Sequence, residues 1–170
     1  METPQGNSKH WQIRSNLRPG DIGYLIYLHG ILYAKEYGWD CTFEGYVAES
    51  LTKSIPSLDD SMARLWIAEI SGKIIGSIGI VPDSDSNSEA QLRWFLVHPD
   101  QRGRGLGREL LNNALQFSRD RGFKSVFLWT VSDLKVATHL YQWAGFRKTE
   151  EKMHQLWGKT ITEERYELLL

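Results

Sequence analysis

The residues Gln101-Arg102-Gly103-Arg104-Gly105-Leu106-Gly107 place three glycines and two arginines directly before a helix-like run. Glycines leave no Cβ in the way, so successive backbone N–H groups can approach one anion. The helix that follows directs the positive end of its dipole at the same place. Residue type and spacing together describe a cradle for a di- or polyphosphate, with Arg102, Arg104 and Arg108 supplying positive charge. Two well-known phosphate loops do not match. A mononucleotide loop ends Gly-Lys-Ser/Thr, whereas Gly107 is followed by Arg108 and Glu109. The dinucleotide pattern G-x-G-x-x-G begun at Gly103 meets Arg108 where its last glycine belongs.

The elements around the loop must hold it in place. Gln91 to Pro99 is rich in aromatic and branched residues and ends in a proline, which predicts a strand. After the loop, Leu106, Leu110, Leu111, Ala114, Leu115 and Phe117 form a helical stripe, with Gly122 as its C-cap. Ser125 to Val131 is an almost continuous apolar run, as expected of a strand covered on both faces. A strand-helix-strand unit of this length implies a parallel pair. Ser132 or Asp133 then caps a short helix carrying Ala137, Leu140, Tyr141 and Ala144, which Gly145 stops.

The loop matches Gln/Arg-x-x-Gly-x-Gly/Ala, and Val97-His98-Pro99 matches a Val-x-Pro strand exit. Ala137-x-x-Leu140-Tyr141-x-x-x-Gly145-Phe146 supplies a second signature downstream. With these motifs the chain resembles the GCN5-related N-acetyltransferases (GNAT). The resemblance implies a three-layer α/β (α+β) fold. Its sheet is mixed and mostly antiparallel, with six to seven strands, a central splayed parallel pair and helices on both faces. It also implies acetyl-CoA as co-substrate and no metal.

By the same resemblance, the pyrophosphate is bound by backbone N–H groups of Arg102, Gly103, Arg104, Gly105, Leu106, Gly107 and Arg108. The pantetheine pairs like an extra strand with Leu96 and Val97, and the Val97 N–H polarises the thioester carbonyl. Tyr141 matches the general acid for the departing thiolate, since a phenol is protonated at neutral pH. Glu89 occupies the position, thirteen residues before Arg102, where some members carry a catalytic glutamate. His98 is the alternative base. Leu134 stands where many relatives carry asparagine, with Ser132 and Thr138 as candidate substitutes.

One domain is expected over residues 1–170, with Met1 to His10 as a flexible tail. The elements before the loop are read as a first strand from Trp11 to Leu17, a helix from Ile22 to Tyr37 with Asp21 as N-cap, and a second helix from Phe43 to Ser54. Two strands, Arg64 to Ile70 and Lys73 to Val81, follow around the hairpin signal Ser71-Gly72. Strands from Phe146 to Trp157 and Glu164 to Leu170 close the chain. A net charge of −1 offers no footprint for nucleic acid or an anionic membrane, so neither is expected as a partner. The single cysteine, Cys41, and the polar start of the chain point to a cytoplasmic protein.

The stretch from His29-Gly30 through Tyr37-Gly38-Trp39-Asp40 to Glu44 resembles the GNAT half of fusions with MarR-type regulators. Only ten residues precede Trp11, so no regulator half is expected. Tyr24, Tyr27, Tyr33, Tyr37, Trp39 and Phe43 crowd the first helix and its exit, where an acceptor pocket, core packing or a dimer face are all open readings. Monomer and homodimer are both compatible with the chain. The function implied is acetyl transfer from acetyl-CoA to a primary amine of a small molecule, peptide or protein, in a ternary complex. The alternative is a non-catalytic acyl-CoA-binding sensor or interaction module.

Overall fold

In a computed structural model describing residues 10–58 and 61–170, the strand-forming runs assemble into one mixed sheet of seven strands. The tail expected over Met1 to His10 lies, except for His10, outside the described residues. In chain order the elements are β1 (Gln12–Arg14), α1 (Asp21–Tyr37), α2 (Cys41–Leu58), β2 (Arg64–Ile70), β3 (Lys73–Pro82) and β4 (Glu89–Val97). A short 3₁₀ turn, Pro99–Gln101, leads to α3 (Leu106–Asp120), β5 (Ser125–Val131), α4 (Lys135–Trp143), β6 (Arg147–Leu156) and β7 (Lys159–Leu169). The strand order across the sheet is β1-β2-β3-β4-β5-β7-β6. Every neighbouring pair is antiparallel except β4 and β5, which run parallel because α3 crosses over between them.

Two apolar layers cover the sheet. On one face the α3 stripe of Leu106, Leu110, Leu111, Ala114 and Leu115 packs with Tyr141 of α4 against Ile78, Ile80, Val126 and Leu128. On the other, Leu25, Leu28 and Leu32 of α1 and Val47 and Leu51 of α2 cover Leu65, Ile67, Ile74 and Leu96. The outermost strand, β6, is exposed along most of its length and carries Arg147, Lys148, Glu150, Glu151 and Lys152. Charges of both signs on an edge oppose pairing with another chain.

Local chemistry departs from the sequence reading at helix starts. Asp21 is the first residue of α1, and the N-cap is Gly20 at φ 94°. The Asp21 carboxylate accepts from Arg18 N at 2.6 Å and pairs with both terminal nitrogens of Arg14 at 2.8 Å. Glu69 takes Arg14 Nε at 2.8 Å, so a partly buried arginine decides the geometry of this corner. Likewise Leu134, not Ser132 or Asp133, is the cap residue of α4, and no side chain bonds there. Helix α2 overruns the expected Phe43 to Ser54 at both ends and carries Pro56 near its close. The Ser71-Gly72 hairpin has the positive φ at both residues that its two-residue turn requires, 49° and 77°.

Candidate active site

Strand β4 does not keep one pleat along its length. Ala90 and Leu92 face the α3 layer, whereas Trp94 and Leu96 face the α1/α2 layer, although all four have even numbers. Strict alternation would put them on one face. The phase changes at Trp94, whose φ of 49° is left-handed, opposite a register shift between Ser77 and Gly79 of β3. This is a β-bulge held from several sides. Ser77 Oγ donates to Trp94 O at 2.6 Å, and Trp94 Nε1 donates to Ser50 Oγ at 2.9 Å. Gly79 leaves room for the indole, since a Cβ there would lie 2.5 Å from the ring.

The bulge coincides with the parting of the parallel strands. β4 and β5 pair only over Glu89↔Ser125, Ala90↔Val126 and Gln91↔Phe127. Beyond Gln91 the ladder opens. His98 N donates to Ile75 O of β3 at 2.8 Å, so by strand alternation the preceding Val97 amide points away from β3, into the opening.

Two cavities occupy the parting and share Tyr33, Phe95 and Leu134 as walls. The larger, about 480 Å³, is bounded by Phe95 to Val97, the glycine loop and the α4 residues Val136, Ala137 and Leu140. The smaller, about 120 Å³, lies between Gln91 to Phe95 of β4 and Leu128 to Val131 of β5, under an aromatic wall. Tyr141 borders the smaller cavity. Leu96, Val97, Arg102, Gly103, Gly105, Gly107 and Arg108 border the larger.

Gly103 and Gly105 adopt φ values of 74° and 92°, and a Cβ on either would meet nothing within 4 Å. Glycine is therefore required there by backbone conformation, and the space before the loop stays open. Gly107 serves differently. A Cβ there would come 3.2 Å from Leu140 Cδ2, so it lets α3 approach α4. Gly105 caps α3, and Glu109 N is bonded to Gly105 O at 3.1 Å. The amides of Leu106, Gly107 and Arg108 precede the first intrahelical bond and face outward, as an anion site requires.

The three arginines divide their work in a way the sequence does not reveal. Arg102 is bound fork to fork by Glu36 of α1 and donates through Nε to Val97 O at 3.0 Å. These hydrogen bonds hold its guanidinium firmly charged, yet Glu36 neutralises that charge. Arg104 bonds Gln101 Oε1 at 3.2 Å, and Arg108 lies 4.7 Å over the ring of Trp143. The backbone cradle is thus the main provision for an anion, with Arg104 and Arg108 beside it.

Tyr141 is buried, with its ring 6.0 Å from Phe95 and 5.8 Å from Phe146. Burial pushes its phenol well above the ordinary tyrosine range, so it stays protonated. Glu89 is placed elsewhere. It sits in the still-paired start of β4, is 3.4 Å from Ser125 Oγ, and borders neither cavity. Val97 is eight residues further along the strand, roughly 25 Å at strand rise. The structure therefore does not bring Glu89 to Val97, nor into the lining of the cavity that Tyr141 borders. His98, the alternative base, also borders neither cavity, and its Nδ1 accepts from Asp100 N at 3.3 Å. Leu134 lines both cavities, while Ser132 and Thr138 line neither.

The aromatic wall contains residues that the sequence reading missed. Tyr33 packs against Trp39 at 5.1 Å and Phe43 at 4.8 Å, and Trp157 closes on Trp39 at 4.6 Å. Trp157 arrives from the two-residue β6–β7 turn, with φ values of 55° at Trp157 and 79° at Gly158. A tryptophan directly before a glycine is its one sequence signal. Tyr24 and Tyr27 instead pair with each other outside the cavities, and Tyr27 is exposed. His29 of α1 also lines the smaller cavity.

A glycine cradle at a helix start, beside two strands parted by a bulge and a buried phenol, defines an acetyltransferase architecture. Residues 31–146 match the model of the acetyltransferase (GNAT) family, and the chain belongs to that family. It is 32% identical over 154 residues to "Probable N-acetyltransferase camello" of Xenopus tropicalis, covering 85% of this chain and 70% of that one. It is 38% identical over 135 residues to N-acetyltransferase family 8 member 3 of Rattus norvegicus, covering 76% of this chain and 59% of that one. The chain spans about half the length of human N-acetyltransferase 8B, at 33% identity over 114 residues, 65% of this chain and 49% of that one. Among solved structures, ribosomal-protein-alanine N-acetyltransferase of Brucella melitensis superimposes with a TM-score of 0.75 at 18% identity, over 94% of this chain and 99% of that one. A Salmonella typhimurium acetyltransferase determined with its cofactor acetyl-CoA gives 0.71 at 18%, over 95% of each chain. At these identities the structural matches speak for the fold.

Proposed function

We propose that the chain moves an acetyl group from acetyl-CoA to a primary amine by direct transfer in a ternary complex. The observation that carries this reading is the shared wall of the two cavities. The cleft behind the glycine loop meets the smaller, aromatic cavity at Tyr33, Phe95 and Leu134, with Tyr141 beside the junction. A donor in one and an acceptor in the other would have their reactive ends face each other.

The outward amides at the start of α3 fit a pyrophosphate, and the unpaired edge of Leu96 and Val97 fits an extended amide chain. Acetyl-CoA, held so, supplies an acetyl group activated as a thioester. The Val97 N–H, directed into the opening, donates to an oxygen that gains negative charge during transfer. The Tyr141 hydroxyl, kept protonated by burial, gives its proton to the departing sulfur. The proton that the amine nitrogen loses on acylation passes to water, since Glu89 is held in the paired start of β4 and borders neither cavity. The likeness of the His29 to Glu44 stretch to MarR-fusion acetyltransferases adds nothing about the acceptor.

Titration calorimetry with acetyl-CoA, followed by thiol release against a panel of amines, tests this reading. Binding with amine-dependent release is expected. Binding without release from any amine would replace it with an acyl-CoA sensor, and absence of binding would remove the cradle.

A further inference from the structure

Two residues that line the smaller cavity each carry a buried polar atom that the described residues leave unpaired. His29 and Trp39 are 3% and 4% exposed, both line the smaller cavity, and among the described residues His29 Nε2 and Trp39 Nε1 have no hydrogen-bond partner. Buried polar atoms are almost always paired, so two orphans on one small cavity need an explanation. Both rings pack against the same neighbour, Tyr33, at 6.0 Å from His29 and 5.1 Å from Trp39.

Their chemistry is of opposite sense. His29 Nδ1 lies 2.8 Å from Leu25 O, and a carbonyl only accepts, so Nδ1 carries the proton. Nε2 is therefore a lone pair seeking a donor. Burial pushes the imidazole down to about 4, so it remains neutral at physiological pH. Trp39 Nε1–H can only donate and seeks an oxygen.

We propose that His29 and Trp39 recognise the acceptor as an α-amino carbonyl compound, His29 Nε2 accepting from the amino N–H and Trp39 Nε1–H donating to the neighbouring carbonyl oxygen. This rests on the acetyltransferase reading above. So weak a base does not deprotonate an ammonium, and it suits an amine that arrives neutral. An amino group beside a carbonyl has a reference pKa of about 7.7–8.0, whereas a lysine amine lies near 10.4. The first is substantially neutral at pH 7.5 and the second is not. A cavity of about 120 Å³ holds such a head group among aromatic rings while the rest of the molecule extends outward.

The test uses the full-length protein, saturating acetyl-CoA and thiol release, with four probes: phenylalaninamide, the dipeptide Phe-Gly, 2-phenylethylamine and Nα-acetyl-lysine. The first two carry the proposed head as a small molecule and as a chain terminus, the third lacks the oxygen, and the fourth presents a lysine amine. The wild type is expected to favour the first two over 2-phenylethylamine by about tenfold or more in kcat/KM. Trp39→Phe keeps an aromatic ring and removes the indole N–H, and His29→Phe keeps a ring and removes both imidazole nitrogens, the Nδ1 bond to Leu25 O included. Trp39→Phe should collapse the ratio of phenylalaninamide to 2-phenylethylamine, and His29→Phe should raise KM for both head-bearing probes. Unchanged acetyl-CoA binding by each variant shows that the fold is intact. A wild type that prefers 2-phenylethylamine or the lysine amine, or variants that keep its ratios and KM values, overturns the inference and leaves the enzyme reading standing. A wild type that releases no thiol with any amine removes both.

Discussion

Arg102 and Glu36 meet fork to fork beside the larger cavity, with Nη1 2.7 Å from Oε2 and Nη2 2.8 Å from Oε1. Since Arg102 Nε also reaches Val97 O, one guanidinium ties α1, the glycine loop and the end of β4 together. Glu36→Gln is expected to lower stability by about 0.5–1 kcal/mol, as for a partly exposed pair, and the melting temperature by roughly 1–4 °C. It should leave acetyl-CoA affinity within a few-fold. A marked gain in affinity in calorimetry would instead show that Glu36 withholds Arg102 from the phosphates.

The Tyr141 hydroxyl is assigned to proton delivery, and the ring to packing. Tyr141→Phe keeps the ring contacts with Phe95 and Phe146, so kcat should fall by about 10²-fold or more while acetyl-CoA binding hardly changes. Equal losses in both would argue against the assignment.

Stability should fall at both ends of the pH range. His29 titrates near 6.5 when unfolded and is held down to about 4 by burial in the fold. Its stabilising contribution is present above the unfolded value and is lost as pH falls from about 6.5 towards 4, at about 1.4 kcal/mol per unit. Tyr33 and Tyr141 are pushed up by burial, so the unfolded chain loses their protons first and stability declines above about pH 10. Urea unfolding across pH measures both limbs, and His29→Phe should flatten the acid one.

The bulge at Trp94 depends on small neighbours. Gly79→Ala would place a methyl 2.5 Å from the indole, and overpacking of this kind costs about 1–3 kcal/mol. Ser77→Ala loses the bond to Trp94 O and leaves a buried carbonyl short of a donor, about 1–3 kcal/mol. Both should reduce kcat/KM more than cofactor affinity, because the bulge aims Val97. Gly105→Glu acts on the cradle itself. It forces a side chain onto φ 92° and sets a carboxylate against the phosphates, so acetyl-CoA binding should be abolished in calorimetry.

The glycine-loop half of the site is legible because its requirements are local. Gly103 and Gly105 report backbone conformation, the α3 stripe reports one helix face, and Tyr141 follows at a fixed interval on a short helix. The aromatic half is assembled from afar. Ala90, Leu92, Trp94 and Leu96 form one unbroken alternating series in the sequence, and the phase change is hidden because the sheet has an apolar layer on each face to receive them. Glu89 has a suitable residue type and interval, yet strand pairing holds it below the parting, and no interval along the chain records where two strands separate. Arg102 looks like a phosphate ligand until Glu36, distant in sequence, takes it. Asp21 looks like a cap until Arg14 claims its carboxylate.

The Trp157-Gly158 turn and both strands that it joins lie beyond the residues matched by the family model, which end at 146. The turn nevertheless supplies Trp157 to the aromatic wall, and Lys159 Nζ beside it reaches Tyr37 O at 2.6 Å, fastening the hairpin to the end of α1. One wall of the smaller cavity is therefore held by a hairpin outside the matched stretch, while most of the rest of its lining, Tyr33, Trp39 and Phe43 included, lies within it. That wall can change shape by alteration of one turn, with the glycine loop left as it is.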